Sequence, residues 1–256
     1  MANVLVCVKR APDSSERILL SADGQSIDAR HVGYTISPHE ECAVELAVRI
    51  AAATGGEATV LTLGPPEAVQ HVRDAIAVGC ARGVLLEGEA DRYGPRDVAA
   101  AIAALVHAHQ AQGTTYDLVL VGTDAADTGD YQVGVRLAYA LGRPVASGIS
   151  TCEVVGEDVV AHADGPDGTE VYEVPLPAVL AVKEGGVTPR YPSVPGRMKA
   201  RRAPVDVVSP EVEPAGSGRV RLKLPPQPPS SVQLLGEGPH AAPAVVDLLV
   251  RIGVAP

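Results

Sequence analysis

The chain has 256 residues, 46% of them hydrophobic, 20% charged and 3% aromatic, enough apolar material for a substantial core built from Ala, Val and Leu. Its 21 Lys and Arg against 31 Asp and Glu give a formal charge of −10, and seven Tyr are its only aromatic residues besides histidine. That balance disfavours nucleic-acid binding, both as an electrostatic footprint and as a stacking surface. No apolar run approaches the roughly 20 residues of a bilayer span, and MANVLVCVKR enters a strand without a basic leader. A cytoplasmic protein with no direct membrane insertion is expected. Cys7, Cys42, Cys80 and Cys152 are far apart with no C-x-x-C, so a disulfide framework or zinc site is not expected.

In chain order, VLVCVK near the N-terminus is a buried-strand run, followed by a polar excursion from Pro12 to Gln25. Ser37-Pro38-His39-Glu40-Glu41 then combines an N-cap, a first-position proline and two acids that suit the helix dipole. The spacing predicts a helix to about Thr54, stopped by Gly55-Gly56, with Ala43, Val44, Ala47, Ile50 and Ala51 on its core face. The pattern repeats as ATVLTLG strand, Pro65–Gly79 helix, GVLLEG strand, Arg96–Ala111 helix and DLVLVG strand, with a helix starting near Asp130. Short apolar strands alternating with helices predict a parallel sheet covered on both faces. After Leu141, ISTCEVV, DVVAHAD, TEVYEV and AVLAVK are broken by turn residues and are expected as antiparallel strands closing one edge. The division expected is a body over 1–203 and a Pro-rich arm over 204–256, including the PPQPP cluster at Pro225–Pro229 and a helix from about Ala242 to Ile252.

The richest segment chemically is DLVLVGTDAADTGDYQVGVRLAYAL at 117–141, a strand ending at Gly122, a small polar loop and a helix start. At the carboxyl edge of a parallel sheet such a loop presents free N–H groups and a positive dipole end, which suit phosphate. Gly134 would allow close backbone approach, and Thr123, Thr128 and Gln132 offer hydrogen bonds. An ordinary βα turn is the competing reading of the same residues. The loops after Cys7-Val8-Lys9 and Leu63-Gly64-Pro65 should open at the same edge, with the Ser37-Pro38 helix start beside them, so that together they would make one mononucleotide pocket.

KEGGVTPRYPSVPGRMKARR at 183–202 carries six basic residues against one acid, Glu184, on an otherwise acidic chain. With Tyr191, Val194 and Met198 interleaved, it reads as a docking element for an acidic partner or a phosphate-bearing cofactor; a solvated linker is the alternative. Walker, Rossmann, zincin and nucleophile-elbow signatures are absent, and the seven histidines form no ligand pattern. No catalytic set emerges, so a binding or carrier role is expected rather than an enzyme.

VLVCVKRAPD, the helix start at 37–45, RDAIAVGCARGVLL, GTDAADTGDYQVG and LPAVLAVKEGGVTPRYPSVPGRMKARRAP together resemble the β subunits of electron transfer flavoproteins, in order, over about residues 3–204. The resemblance implies a doubly wound, mostly parallel α/β fold of the adenine nucleotide alpha hydrolase-like kind. It implies a partner α subunit holding most of a redox-active FAD, with electrons relayed from flavin dehydrogenases to a quinone reductase or another acceptor. AMP, or in one branch a second FAD, would occupy this chain's own pocket. By position, that cofactor site would use Cys7, Ser37, Pro38, His39, Glu40 and Leu63 with Gly122, Thr123, Asp124, Ala125, Ala126, Asp127, Thr128, Gly129, Asp130, Tyr131, Gln132 and Val133. Docking would use Val182, Lys183, Glu184, Gly185, Gly186, Val187, Thr188, Pro189, Arg190 and Tyr191. Val133 leans toward the second-FAD branch while Asp127-Thr128-Gly129-Asp130 does not reproduce its Asp-Gly-Asp-Thr order, so AMP and FAD both stand. The alternative function is a free-standing adenine-nucleotide-binding regulatory module of the universal-stress-protein type. An ATP-pyrophosphatase is a third reading, against which Lys9-Arg10-Ala11-Pro12-Asp13 stands where a Ser-Gly-Gly-x-Asp-Ser loop would be needed.

Overall fold

In the computed structural model, which describes all residues except 14, 16, 17, 227–231 and 256, nine strands form one sheet. The parts of the Pro12–Gln25 excursion and of the PPQPP cluster that fall on those positions lie outside the described residues. In chain order the elements are β1 (Val4–Cys7), β2 (Ala11–Pro12), β3 (Tyr34–Thr35), α1 (Pro38–Thr54), β4 (Ala58–Gly64), α2 (Val69–Val78) and β5 (Arg82–Glu87). Next come α3 (Pro95–Ala111), β6 (Leu118–Gly122), α4 (Val133–Leu141), β7 (Val145–Val155), β8 (Asp158–Gly165), β9 (Gly168–Pro175) and β10 (Ala178–Val182). The last are α5 (Val194–Arg202), β11 (Val205–Val208) and α6 (Ala242–Arg251).

The sheet order is β11-β5-β4-β1-β6-β10-β7-β8-β9, with β2 and β3 as a separate antiparallel pair. Pairing is parallel from β11 through to β7 and antiparallel only across β7-β8 and β8-β9. Each central strand sends alternate residues to opposite faces. Val4, Val6, Leu118, Leu120, Ala178 and Leu180 pack with α1 and α2; Leu5, Val119, Val121, Val179 and Ala181 pack with α3 and α4. That alternation is what lets nearly continuous apolar strands feed two cores, and it makes the fold doubly wound.

AVLAV corrects the expectation of an antiparallel flank strand. All five residues of β10 are buried, the mark of a strand covered on both faces, and it inserts parallel between β6 and β7. The flank therefore consists of β8 and β9, where the side chains of β9 are largely exposed. Helix α1 forms as its sequence dictates, with a capping box between Ser37 and Glu40 and a left-handed Gly55 at its end.

The chain divides into two compact units, Met1–Leu222 and Lys223–Pro256. The body thus extends past 203, because β11 adds a parallel ladder to β5 and the segment after it remains with the body. The second unit contains α6, preceded by a 3-10 turn at Gly238–Ala241. Among the described residues no helix is long and apolar enough to cross a membrane.

Candidate functional site

Successive crossovers run from β1 to β4 on one side and reach β6 on the other, so the order reverses between β1 and β6. A crevice opens outside the carboxyl ends of strands at such a reversal, and ligands bind there. A cavity of about 500 Å³ lies at this place, within the size range of small-molecule sites. Its lining takes Cys7, Leu61, Leu63 and Val121 from the strands, Glu40 from α1, residues of the loop after β6, and Tyr93, Val98 and Ile102 from before and within α3.

Of the residues assigned by sequence, Cys7, Glu40, Leu63, Gly122, Asp124, Ala125, Asp127, Thr128, Asp130 and Val133 line this cavity. Ser37, Pro38, His39, Thr123, Ala126, Gly129, Tyr131 and Gln132 are not among its lining residues. Ser37 is buried as the α1 N-cap, Thr123 accepts from the Gly148 amide through Oγ1 (3.3 Å), and Gln132 accepts from Arg136 Nε (2.9 Å). Gly134 serves a different purpose from the one read in its sequence. A Cβ there would stand 3.0 Å from Val121 Cγ2 and 3.3 Å from Ala181 Cβ, so the glycine lets α4 close on the sheet.

Electrostatically the lining is mixed. Six carboxylates, Glu40, Glu89, Asp91, Asp124, Asp127 and Asp130, outnumber the cations Lys9, Arg10 and Arg219, so net charge alone would not attract a polyanion. Lys9 Nζ meets Asp127 Oδ1 at 2.5 Å, and the Arg10 guanidinium stacks 3.3 Å from the Tyr34 ring centre. Glu40 accepts from the amides of Lys9 and Ser37, each at 2.7 Å, yet burial outweighs those bonds and raises its pKa to about 7. Burial, with the Glu40 charge adding to it, pushes the Cys7 thiol up to about 12, so Cys7 is an apolar wall and not a nucleophile. Asp124 Oδ1 is buried without a hydrogen-bond partner among the described residues, an acceptor waiting for a donor.

The segment assigned to docking is held by one face of α1. His39 Nδ1 accepts from the Glu184 amide (2.9 Å), Cys42 Sγ lies 3.5 Å from the Val187 carbonyl, and Arg49 reaches the Thr188 carbonyl (3.5 Å). Arg190 places its backbone N, Nε and Nη2 on the Glu45 carboxylate at 3.2, 2.8 and 2.9 Å. Positions 39, 42, 45 and 49 recur at helical spacing, so one stripe of α1 fixes the whole loop. Val182 is buried as the end of β10, while Lys183, Glu184, Thr188 and Tyr191 are exposed. Gly185 and Gly186 let it turn, and at Gly186 a Cβ would sit 2.0 Å from the Ser150 carbonyl oxygen; Pro189 is half-buried.

Sequence reasoning missed part of the cavity lining. Ser26, Ile27, Tyr34, Tyr93, Ser217, Arg219 and Leu222 all line it. Tyr93 stands just before the helix start read at Arg96, a usable signal; Ser217, Arg219 and Leu222 belong to a stretch without periodicity and gave none.

A doubly wound sheet with a walled pocket at its switch point defines the class of α/β proteins that keep a small-molecule site at strand carboxyl ends. Within that class the chain belongs to the electron transfer flavoprotein family, on its beta-subunit side: the model of the electron transfer flavoprotein domain matches residues 26–213. It is similar to electron transfer flavoprotein subunit beta of Bacillus subtilis (strain 168), 32% identical over 255 residues, 96% of this chain and 97% of that protein. It is also similar to electron transfer flavoprotein subunit beta of Homo sapiens, 32% identical over 211 residues, 81% of each chain. Caffeyl-CoA reductase-Etf complex subunit CarD of Acetobacterium woodii is 33% identical over 205 residues, covering 80% of this chain and 77% of that protein. Membership gives the chain a role in flavoprotein electron transport.

Proposed function

We propose that this chain is the β subunit of a heterodimeric electron carrier working in the cytoplasm. It relays electrons from flavin dehydrogenases to a quinone reductase or another acceptor and transforms no substrate itself. The redox flavin, FAD, is shared with an α subunit, and this chain's own cavity holds an adenosine 5′-phosphate group, either AMP or the corresponding half of a second FAD. The observation carrying this reading is the cavity at the switch point between β1 and β6, in a chain of this family.

The lining fits such a group. Asp124 Oδ1, buried and unpartnered, matches a ribose hydroxyl or the adenine amino group, and other carboxylates of the wall are acceptors of the same kind. A phosphate would be met by the Lys9 and Arg219 cations and by the free N–H groups where the post-β6 loop enters α4. FAD supplies reversible one- and two-electron chemistry when bound; this chain contributes binding, orientation and exclusion of water. Lys183, Glu184, Thr188 and Tyr191, displayed by the loop pinned to α1, form the surface offered to a dehydrogenase. The Lys223–Pro256 unit, whose Val246, Val250 and Ile252 side chains are exposed, docks on the α subunit.

The test is to co-express the chain with its α partner, purify and denature the complex, and quantify released nucleotides per heterodimer. One FAD and one AMP support a simple carrier, and two FAD without AMP assign the cavity to a second flavin. A complex with one FAD and no second nucleotide overturns the pocket assignment. Ending the chain at Leu222 should lower the yield of heterodimer; unchanged yield removes the docking role of the second unit.

A further inference from the structure

The cavity has a roof that neither its strands nor its βα loops supply. Between β11 and the end of the first unit, Ala215–Leu222 runs from the start of α3 to the segment around Gln25, contributing Ser217, Arg219 and Leu222 to the lining. Six residues from Ser217 to Leu222 reach about 20 Å when extended, enough to cross such a cavity.

Its two ends are held very differently. At the α3 end, Asp97 is 4% exposed, and its Oδ2 accepts from the amides of Ala215 and Gly216, both at 2.9 Å, as well as from Gly94 (3.1 Å). Gly94 lies so close beneath this crossing that a Cβ would stand 2.5 Å from the Gly216 carbonyl oxygen. A buried carboxylate that gathers three N–H groups is a strong anchor. At the other end the clasp is three bonds, Leu222 N to Gly24 O (2.9 Å) between half-buried residues and two exposed ones, Gln25 Nε2 to Val220 O (3.1 Å) and Arg219 Nη2 to Gln25 O (3.3 Å). Such solvent-competed bonds open readily. At the anchor and just beyond it, Gly216 and Gly218 have φ of +81° and +74°, a conformation that side-chain-bearing residues adopt rarely, so the hinge is built into the sequence.

We propose that Ala215–Leu222 is a strap that retains the nucleotide, with Asp97 as its positioning residue and Arg219 as the group it delivers to the phosphate. This rests on the adenosine 5′-phosphate reading of the cavity. Of the three cations in the lining, Lys9 is paired with Asp127 and Arg10 is stacked on Tyr34, whereas Arg219 makes no ion pair among the described residues. A guanidinium whose one hydrogen bond among the described residues is a long one to a carbonyl can turn to an incoming phosphate, which it grips in a fork. The anchor keeps the hinge registered while the clasp opens, as expected of a lid that admits a ligand and then excludes water.

The experiment uses the purified heterodimer and follows release of the resident nucleotide after hundredfold dilution, by chromatography. Arg219→Ala changes an exposed residue, and its loss of one charge-assisted contact should speed release about 10-fold or more. After nucleotide stripping, the same variant should weaken binding of added AMP by at least that factor while leaving adenosine unchanged. Asp97→Asn should speed release of AMP and adenosine alike, with hydrogen exchange at Ala215 and Gly216 losing protection. A heterodimer in which neither nucleotide resides nor AMP binds refutes the cavity reading itself. Wild-type retention with unaltered release in Arg219→Ala, or equal loss of AMP and adenosine in that variant, overturns the strap.

Discussion

Glu45 and Arg190 offer the sharpest energetic test of how the exposed loop is held. The Glu45 side chain is 2% exposed, while Arg190 and Arg49 beside it are 46% and 50% exposed. Burial pushes the Glu45 carboxyl up, but hydrogen bonds from Arg190 and Arg49 outweigh it and hold the group at about 2. Displacement from the ordinary 4.5 to about 2 corresponds to about 3 kcal/mol favouring the carboxylate. Screening at the half-exposed guanidiniums reduces what either pair contributes to about 1–2 kcal/mol. Because the folded-state value is depressed, this stability is complete above about pH 4.5 and is lost as pH falls through about 2. Arg190→Gln should therefore lower unfolding free energy by about 1–2 kcal/mol at pH 7 and shrink the loss on acidification, read from urea unfolding at several pH values. A cycle with Glu45→Gln should give a coupling energy of similar size. Additivity within about 0.3 kcal/mol would refute the clamp, since contacting residues that share bonds cannot act independently.

Two further outcomes follow from the cores. Gly134→Asp would drive a carboxylate into the seam between α4 and the sheet, against Val121 and Ala181, and should lower stability by about 3 kcal/mol or more, visible as a fall in Tm. Glu40 has a raised folded-state pKa, so its contribution is present below about pH 4.5 and lost as pH rises through about 7. Glu40→Gln keeps an acceptor oxygen for the Lys9 amide and should flatten the decline in Tm over that window; an unchanged slope would remove Glu40 as its source.

Much of the fold was legible because its signals are local. The Ser37-Pro38 helix start is a capping box whose partners are three residues apart, and α1 ends at Gly55 as its sequence indicates. Strand order is a long-range property, and AVLAV carried only the information that it is apolar. Whether such a run lies at an edge or between two parallel strands depends on what covers it, which no nearby residue states. The same division holds in the cavity. Loops leaving β1, β4 and β6 follow from the alternation of strands and helices, so ten assigned residues converge there. Asp97 reaches Ala215 across 118 positions, and neither residue type announces that bond. Gly134 shows the opposite limit: its importance was legible, but a glycine that admits a ligand and one that admits a sheet look alike in sequence.

The sheet ends at β9, where Thr169, Glu170, Val171, Tyr172 and Glu173 face solvent and one row of backbone groups faces outward. A bare edge of this kind is where copies of a newly made chain could add to one another and polymerise. Here Glu170 and Glu173 lie three residues apart with Pro175 closing the strand, so stacking two copies edge to edge would crowd like charges and meet a residue that cannot donate. The acidity that argues against nucleic acid thus has a local consequence: it disfavours the addition of a further strand at the β9 edge.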